Sequence, residues 1–264
     1  MKKYSKLAVA LVAGWCILQA GQALADPVTV HYTDGPNAQG YYIFPSFNSA
    51  LGVSPNTDAI AGWPDVQTMD VKIDGATGKL ESITLNFTGV SYNPLSYVTS
   101  LFINSTGQGE NWDYFVSSGT VGSTVGTVAV AGVYTVNHFD PSNPNDYNRA
   151  NGGRSQHANG INANSSLGLL TKVPGIGIAD VISTLPANNG YSYSIVYDLS
   201  SLSIDLGTQF TIGWTPYCAN DVVYAVLGWA GPSGSAPEPA TMMLMGVGLA
   251  GLAGWRNRRQ AVKK

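Results

Sequence analysis

Two runs of strict apolar–polar alternation, parted by a five-residue turn, constrain this chain more than any other feature of its sequence. Met69, Val71 and Ile73 fall on one side of an extended segment, with Asp70 and Lys72 on the other. After Asp74-Gly75-Ala76-Thr77-Gly78, Ile83, Leu85 and Phe87 alternate with Ser82, Thr84 and Asn86. A period of two belongs to a half-buried β-strand, whose successive side chains leave opposite faces, and Asp-Gly favours a turn. The pair predicts a hairpin. Similar runs occur at Trp112, Tyr114 and Val116, at Val128–Val136, at Tyr193–Leu199, and at Phe210, Ile212 and Trp214 with Thr211, Gly213 and Thr215 opposite. Val222–Trp229 is apolar at both parities and predicts a central strand. Helical spacing is weak: short turns are expected at Leu95–Phe102 and at Ile178–Leu185, the second stopped by Pro186.

Eight or more short strands without covering helices must bury their faces against one another. The expected fold is therefore all-β, a two-sheet sandwich of jelly-roll type, as one domain over residues 26–235. A division into two subdomains would break inside 137–165. Charged residues are 11% of the chain, against about 25% in ordinary domains, and 44% are hydrophobic. This composition excludes a polyelectrolyte-type disordered protein. Charge is segregated: Lys and Arg gather at the two ends, while residues 26–235 hold five basic against fifteen acidic side chains, a formal −10. Such a body has no bulk electrostatic affinity for nucleic acid or anionic lipid.

The ends carry addresses. Lys2, Lys3 and Lys6 precede the apolar run Leu7–Leu18, and Ala23 and Ala25 are small residues where a signal peptidase needs them. Residues 1–25 read as a signal peptide helix cleaved before Asp26; the rival, an uncleaved anchor, is too short to span a bilayer of roughly 30 Å. Cys16 leaves with it, so Cys218 has no partner for an internal disulfide. At the other end, residues 236–264 begin with Ala236 and Pro237-Glu238-Pro239. Ala240–Trp255 follows, with Thr241 its one polar residue, and then the basic tail Arg256-Asn257-Arg258-Arg259. The apolar stretch is a short transmembrane helix, and Arg256, Arg258 and Arg259 keep the tail cytoplasmic. These three elements in this order resemble the PEP-CTERM sorting signal, recognised in Gram-negative bacteria by exosortase-type membrane proteases. The resemblance covers about a tenth of the chain. It implies Pro237, Glu238 and Pro239 as recognition residues, transient inner-membrane anchoring, and delivery to the cell surface or medium. The alternative is a plain single-pass tail anchor.

Within the body, Trp214-Thr215-Pro216-Tyr217-Cys218-Ala219-Asn220-Asp221 resembles the Trp…Cys-x-Asn-Asp segment of many such proteins, with Ala219 where Gly is common. Physically, Asn220-Asp221 suits an Asx turn between strands and Cys218 a core position. A reactive thiol would need a base or positive charge nearby, and none lies close in sequence. Residues 137–165 form a long Asn-rich loop in which Asp140, Asn143, Asn145 and Asp146 are oxygen donors of the kind Ca²⁺ takes, without EF-hand spacing. The bland alternative is a solvated loop. Trp63, between Gly62 and Pro64, is the tryptophan expected to be exposed for stacking on sugars, whereas Trp112 and Trp214 belong in the core. No hydrolase, zinc or phosphate-loop signature is present, and His31, His138 and His157 lack metal-ligand spacing. The expectation is a non-enzymatic exported protein, structural or adhesive in a polysaccharide matrix, without a cofactor other than Ca²⁺ at that loop. The alternatives are a carbohydrate-binding module and a polysaccharide-acting hydrolase or lyase.

Overall fold

The computed structural model describes residues 26–33, 65–88, 99–119, 129–149, 158–186, 193–216 and 222–232, with Gly246 and Gly248. One compact unit spans Pro27–Pro232. The other joins Met1–Asp26 with Ser233–Lys264, and of it Asp26 and the two helical glycines are described. No helix among the described residues is long and apolar enough to cross a membrane. The signal helix, and all but those two glycines of the transmembrane stretch, lie outside the described residues.

The expected hairpin is the centre of the fold. Strands β2 (Asp65–Ile73) and β3 (Leu80–Thr88) pair antiparallel, with Met69 opposite Leu85 and Val71 opposite Ile83. Asp74 makes the turn: its Oδ1 accepts from the backbone N–H of Ala76 at 2.8 Å and of Thr77 at 3.2 Å. Gly78 closes the turn at φ +77°, where a Cβ would stand 3.1 Å from the Trp229 ring. Both the left-handed backbone and the indole require glycine there.

Strand β1 (Val28–Thr33) adds to β2, and β11 (Tyr193–Asp198) and β10 (Ile182–Pro186) add beyond β3, so the first sheet runs β1-β2-β3-β11-β10. The second runs β13 (Val223–Gly228), β12 (Gln209–Pro216), β4 (Thr99–Asn104), β5 (Tyr114–Ser117), β6 (Gly132–Val136) and β9 (Leu170–Lys172). All pairings are antiparallel. The main core takes Val71, Leu85 and Phe87 from one sheet and Leu101, Ile212 and Trp214 from the other, all fully buried. Each such side chain contributes about 2 kcal/mol on leaving water, which lets packing alone hold the sheets. The sandwich is as expected. Its order is not that of a jelly roll, whose neighbours are mostly distant in sequence: each sheet here is a three-strand meander extended on one side by a later hairpin, and the second sheet also gains β9 beside β6.

Three local expectations change. Of Leu95–Phe102, residues 95–98 lie outside the described residues and 99–102 belong to a strand, β4, rather than a helical turn; all six β4 residues are buried. Residues 178–185 divide into a four-residue helix, α1 (Ile178–Val181), and β10. The segment Val222–Trp229 supplies β13, which among the described residues is an edge strand rather than a central one. Its second apolar parity is partly covered at Tyr224 and open at Val226, 44% exposed.

The segment 137–165 is neither a break nor a bare loop. It carries a two-stranded hairpin, β7 (Tyr147–Arg149) with β8 (Ala158–Ile161). Tyr147, Ala158 and Ile161 pack with Phe102 and Phe115 of the six-stranded sheet in a second hydrophobic cluster. That sheet is thus covered on both faces, which explains why β4 and β12 show little alternation in burial.

Candidate functional site

Trp214 occupies the start of the Trp…Cys-x-Asn-Asp segment, on β12, and is fully buried. Its Nε1 donates to the Tyr197 hydroxyl of the opposite sheet at 2.9 Å, and that oxygen lies 3.1 Å from Thr99 Oγ1 on β4. Burial pushes the Tyr197 hydroxyl up to about 12, opposed by these two hydrogen bonds. The three side chains form a polar bridge across an otherwise apolar core. Cys218, Asn220 and Asp221 lie outside the described residues.

The β7–β8 hairpin is fastened by polar side chains that the second sheet aims outward. Ser100 Oγ on β4 donates to the Asn159 carbonyl at 2.7 Å, and Thr215 Oγ1 on β12, 3.0 Å from the carbonyl of its neighbour Pro216, also lies 3.5 Å from the Ala158 carbonyl. Asn148 and Asn159, both buried, join across the hairpin through Nδ2 and Oδ1 at 2.8 Å. Beneath it the Tyr147 hydroxyl donates to Glu110 Oε2, and both residues are buried. Burial raises the Tyr147 pKa well above 10, and the Glu110 charge adds to the rise. The half-buried Tyr224 is pushed up to about 12, by burial first and then by Glu110. This carboxylate, 2% exposed, works as an anchor under a cover, out of reach of a large substrate. In the sequence, Glu110 is one of two body glutamates and carries no sign of this contact.

Of the four oxygen donors singled out for Ca²⁺, Asp140, Asn143 and Asp146 are linked by hydrogen bonds in one turn before β7, and Asn145 joins it through its backbone N–H. The Asp146 carboxylate accepts from the Asp140 N–H at 2.9 Å and from Asn143 Nδ2 at 2.7 Å. Asp140 Oδ1 accepts from both the N–H and the hydroxyl of Ser142, and Asn143 Oδ1 from the Asn145 N–H. Burial pushes the Asp146 pKa up, whereas the Ser142 bonds hold that of Asp140 down. No group of three or more His, Cys, Asp or Glu side chains with metal-binding geometry occurs among the described residues.

A polar row that sequence reading missed crosses the outer face of the five-stranded sheet. His31 Nδ1 donates to Asp70 Oδ1 at 2.6 Å, and in that tautomer Nε2 accepts from Thr33 Oγ1 at 3.2 Å. Asn86 Nδ2 donates to Thr68 Oγ1 at 2.9 Å, and Ser194 donates to Asn86 Oδ1. Strand register explains the row, since His31 faces Asp70 and Asn86 faces both Thr68 and Ser194. The hydroxyl, imidazole and carboxylate stand in the order a hydrolytic triad uses, but on an open sheet face, with the His31 side chain 55% exposed.

Of the tryptophans, Trp112, Trp214 and Trp229 are buried, at 3%, 0% and 9% exposure. Trp63 lies outside the described residues, as do Pro237, Glu238, Pro239, Arg256, Arg258 and Arg259. Residues 235–259, the stretch that includes these last six, match the PEP-CTERM protein-sorting motif. The expected sorting signal is therefore present, in its expected place. No curated protein and no solved structure matches the chain.

Proposed function

We propose that this chain, a carrier of the PEP-CTERM sorting motif, is an exosortase substrate whose β-sandwich acts outside the cell as a structural or adhesive component of a polysaccharide matrix. The match at residues 235–259 is the observation that carries the reading. Export places the N-terminal signal with a signal peptidase. The C-terminal apolar stretch then holds the chain in the inner membrane, tail inward, until an exosortase-type protease cuts near Pro237-Glu238-Pro239. The body supports a binding or structural role in two ways. A buried carboxylate contact, Glu110 with Tyr147, fastens a surface hairpin. Its formal −10 suits an interaction with an acidic polymer through bridging divalent cations.

The test is the intact mass of the protein recovered from surface and medium. A chain beginning at Asp26 and ending near Pro237 is expected, and loss of the host's exosortase should leave the full tail on a membrane-bound form. A surface protein that retains Arg256–Lys264 would overturn the reading.

A further inference from the structure

Asn-x-Ser/Thr, the acceptor pattern for an N-linked glycan, occurs three times in the chain: Asn86-Phe87-Thr88, Asn104-Ser105-Thr106 and Asn164-Ser165-Ser166. The three differ in what the fold has done with the asparagine. Asn86 sits inside β3, hydrogen-bonded by β2 on one side and β11 on the other, with its Nδ2 donating to Thr68. Asn104 ends β4 between β12 and β5, is 3% exposed, and donates from Nδ2 to the Gly109 carbonyl at 3.0 Å. Neither can enter a transferase cleft unless a strand leaves its sheet.

Asn164 is different. It opens the turn between β8 and β9, and Asn164, Ser165 and Ser166 are all exposed. The Leu167 N–H donates to the Asn164 carbonyl at 3.0 Å, and Gly168 at φ +63° has open space where its Cβ would be. Asn164 Oδ1 accepts both the backbone N–H of Ser166 at 3.1 Å and its hydroxyl at 2.9 Å. The asparagine and the hydroxyl two residues on, the two groups the pattern demands, are therefore already joined in a projecting Asx turn, and the bonds occupy Oδ1 rather than Nδ2. A further Asx bond, from the Asn164 N–H to Asn162 Oδ1 at 3.1 Å, fixes the approach to the turn.

We propose that Asn164 is a glycan attachment site. The donor is an oligosaccharide carried on a polyprenyl pyrophosphate at the outer side of the inner membrane. Asn164 Nδ2 attacks the anomeric carbon; the C–N bond forms as the bond from that carbon to the pyrophosphate oxygen breaks. The lipid pyrophosphate leaves with the electron pair, and one amide proton passes to a base of the transferase. The site rests on the exported state proposed above, because only an exported chain meets such a donor.

One experiment separates the two readings. Trypsin cutting after Arg154 and Lys172 releases residues 155–172 as a single peptide holding Asn164. In protein purified from the cell surface, this peptide should carry a saccharide mass increment localised by fragmentation to Asn164. The increment should be lost in Asn164→Gln and Ser166→Ala, and kept in Ser165→Ala and Ser166→Thr. The single tryptic peptide that holds both Asn86 and Asn104, residues 80–149, should be unmodified. A correctly processed chain with an unmodified Asn164, or with the sugar on Ser165 or Ser166, overturns the attachment site and leaves the sorting reading intact. A chain retained unprocessed in the membrane overturns the sorting reading instead.

Discussion

At the scale of residues, the informative side chains are those that place one polar atom in a dry core. Replacing Trp214 by Phe keeps an aromatic ring against Phe87, 5.3 Å away, but removes the donor to the Tyr197 hydroxyl. The expected cost is about 1–2 kcal/mol, read as a lower urea midpoint. Tyr147→Phe should cost more, about 2–3 kcal/mol, because it takes a donor away from a buried carboxylate. Tyr197 also sets a pH limit. Its hydroxyl titrates near 12 in the fold against an ordinary 10, so the folded state holds the proton more tightly than the unfolded chain. That contribution is complete below pH 10 and disappears as the pH climbs toward 12; a shift of about two units is worth on the order of 3 kcal/mol. Urea midpoints measured across this range should fall for the wild type and fall less steeply for Tyr197→Phe.

At the scale of elements, the β7–β8 hairpin owes its position to a few hydroxyl-to-carbonyl bonds and one aromatic contact layer. Removing Ser100 Oγ by Ser100→Ala should loosen it locally while the sheets stay intact. Amide exchange over residues 158–161 is expected to quicken by roughly five- to tenfold, with little change in β2 and β3. The same hairpin shows where sequence reading ends. Strands β2, β3 and β11 were legible because one face of each is buried and the other polar, so period two survives in the letters. Strand β4 is buried on both faces and loses that period. Strands β7 and β8 are short and bury Asn148 and Asn159 against each other, so their composition reads as loop. Burial of Trp112 and Trp214 was legible from apolar alternation, and the sorting signal from residue order. The pairing of Glu110 with Tyr147 spans 37 positions, and only the folded chain brings it about.

At the scale of the whole molecule, the matrix role proposed above for this body requires something to offset the formal −10 of its residues 26–235. If divalent cations link it to an acidic matrix, chelation by EDTA should release the protein from the surface fraction; retention unchanged by chelation would count against that role. The strand order carries a further consequence, one of timing. Asn86 pairs with Ser194 across 108 positions, and Asn104 with Thr211 across 107. A chain threaded outward N-terminus first therefore has its early meanders waiting on partners synthesised last, and β13 ends at Gly228, nine residues before Pro237. On the export route proposed above, the last described strand would clear the translocation channel just ahead of the sorting segment. If the chain is cut as proposed above, release comes after the last described strand of the two sheets has arrived, and the sorting segment then times folding as well as delivery.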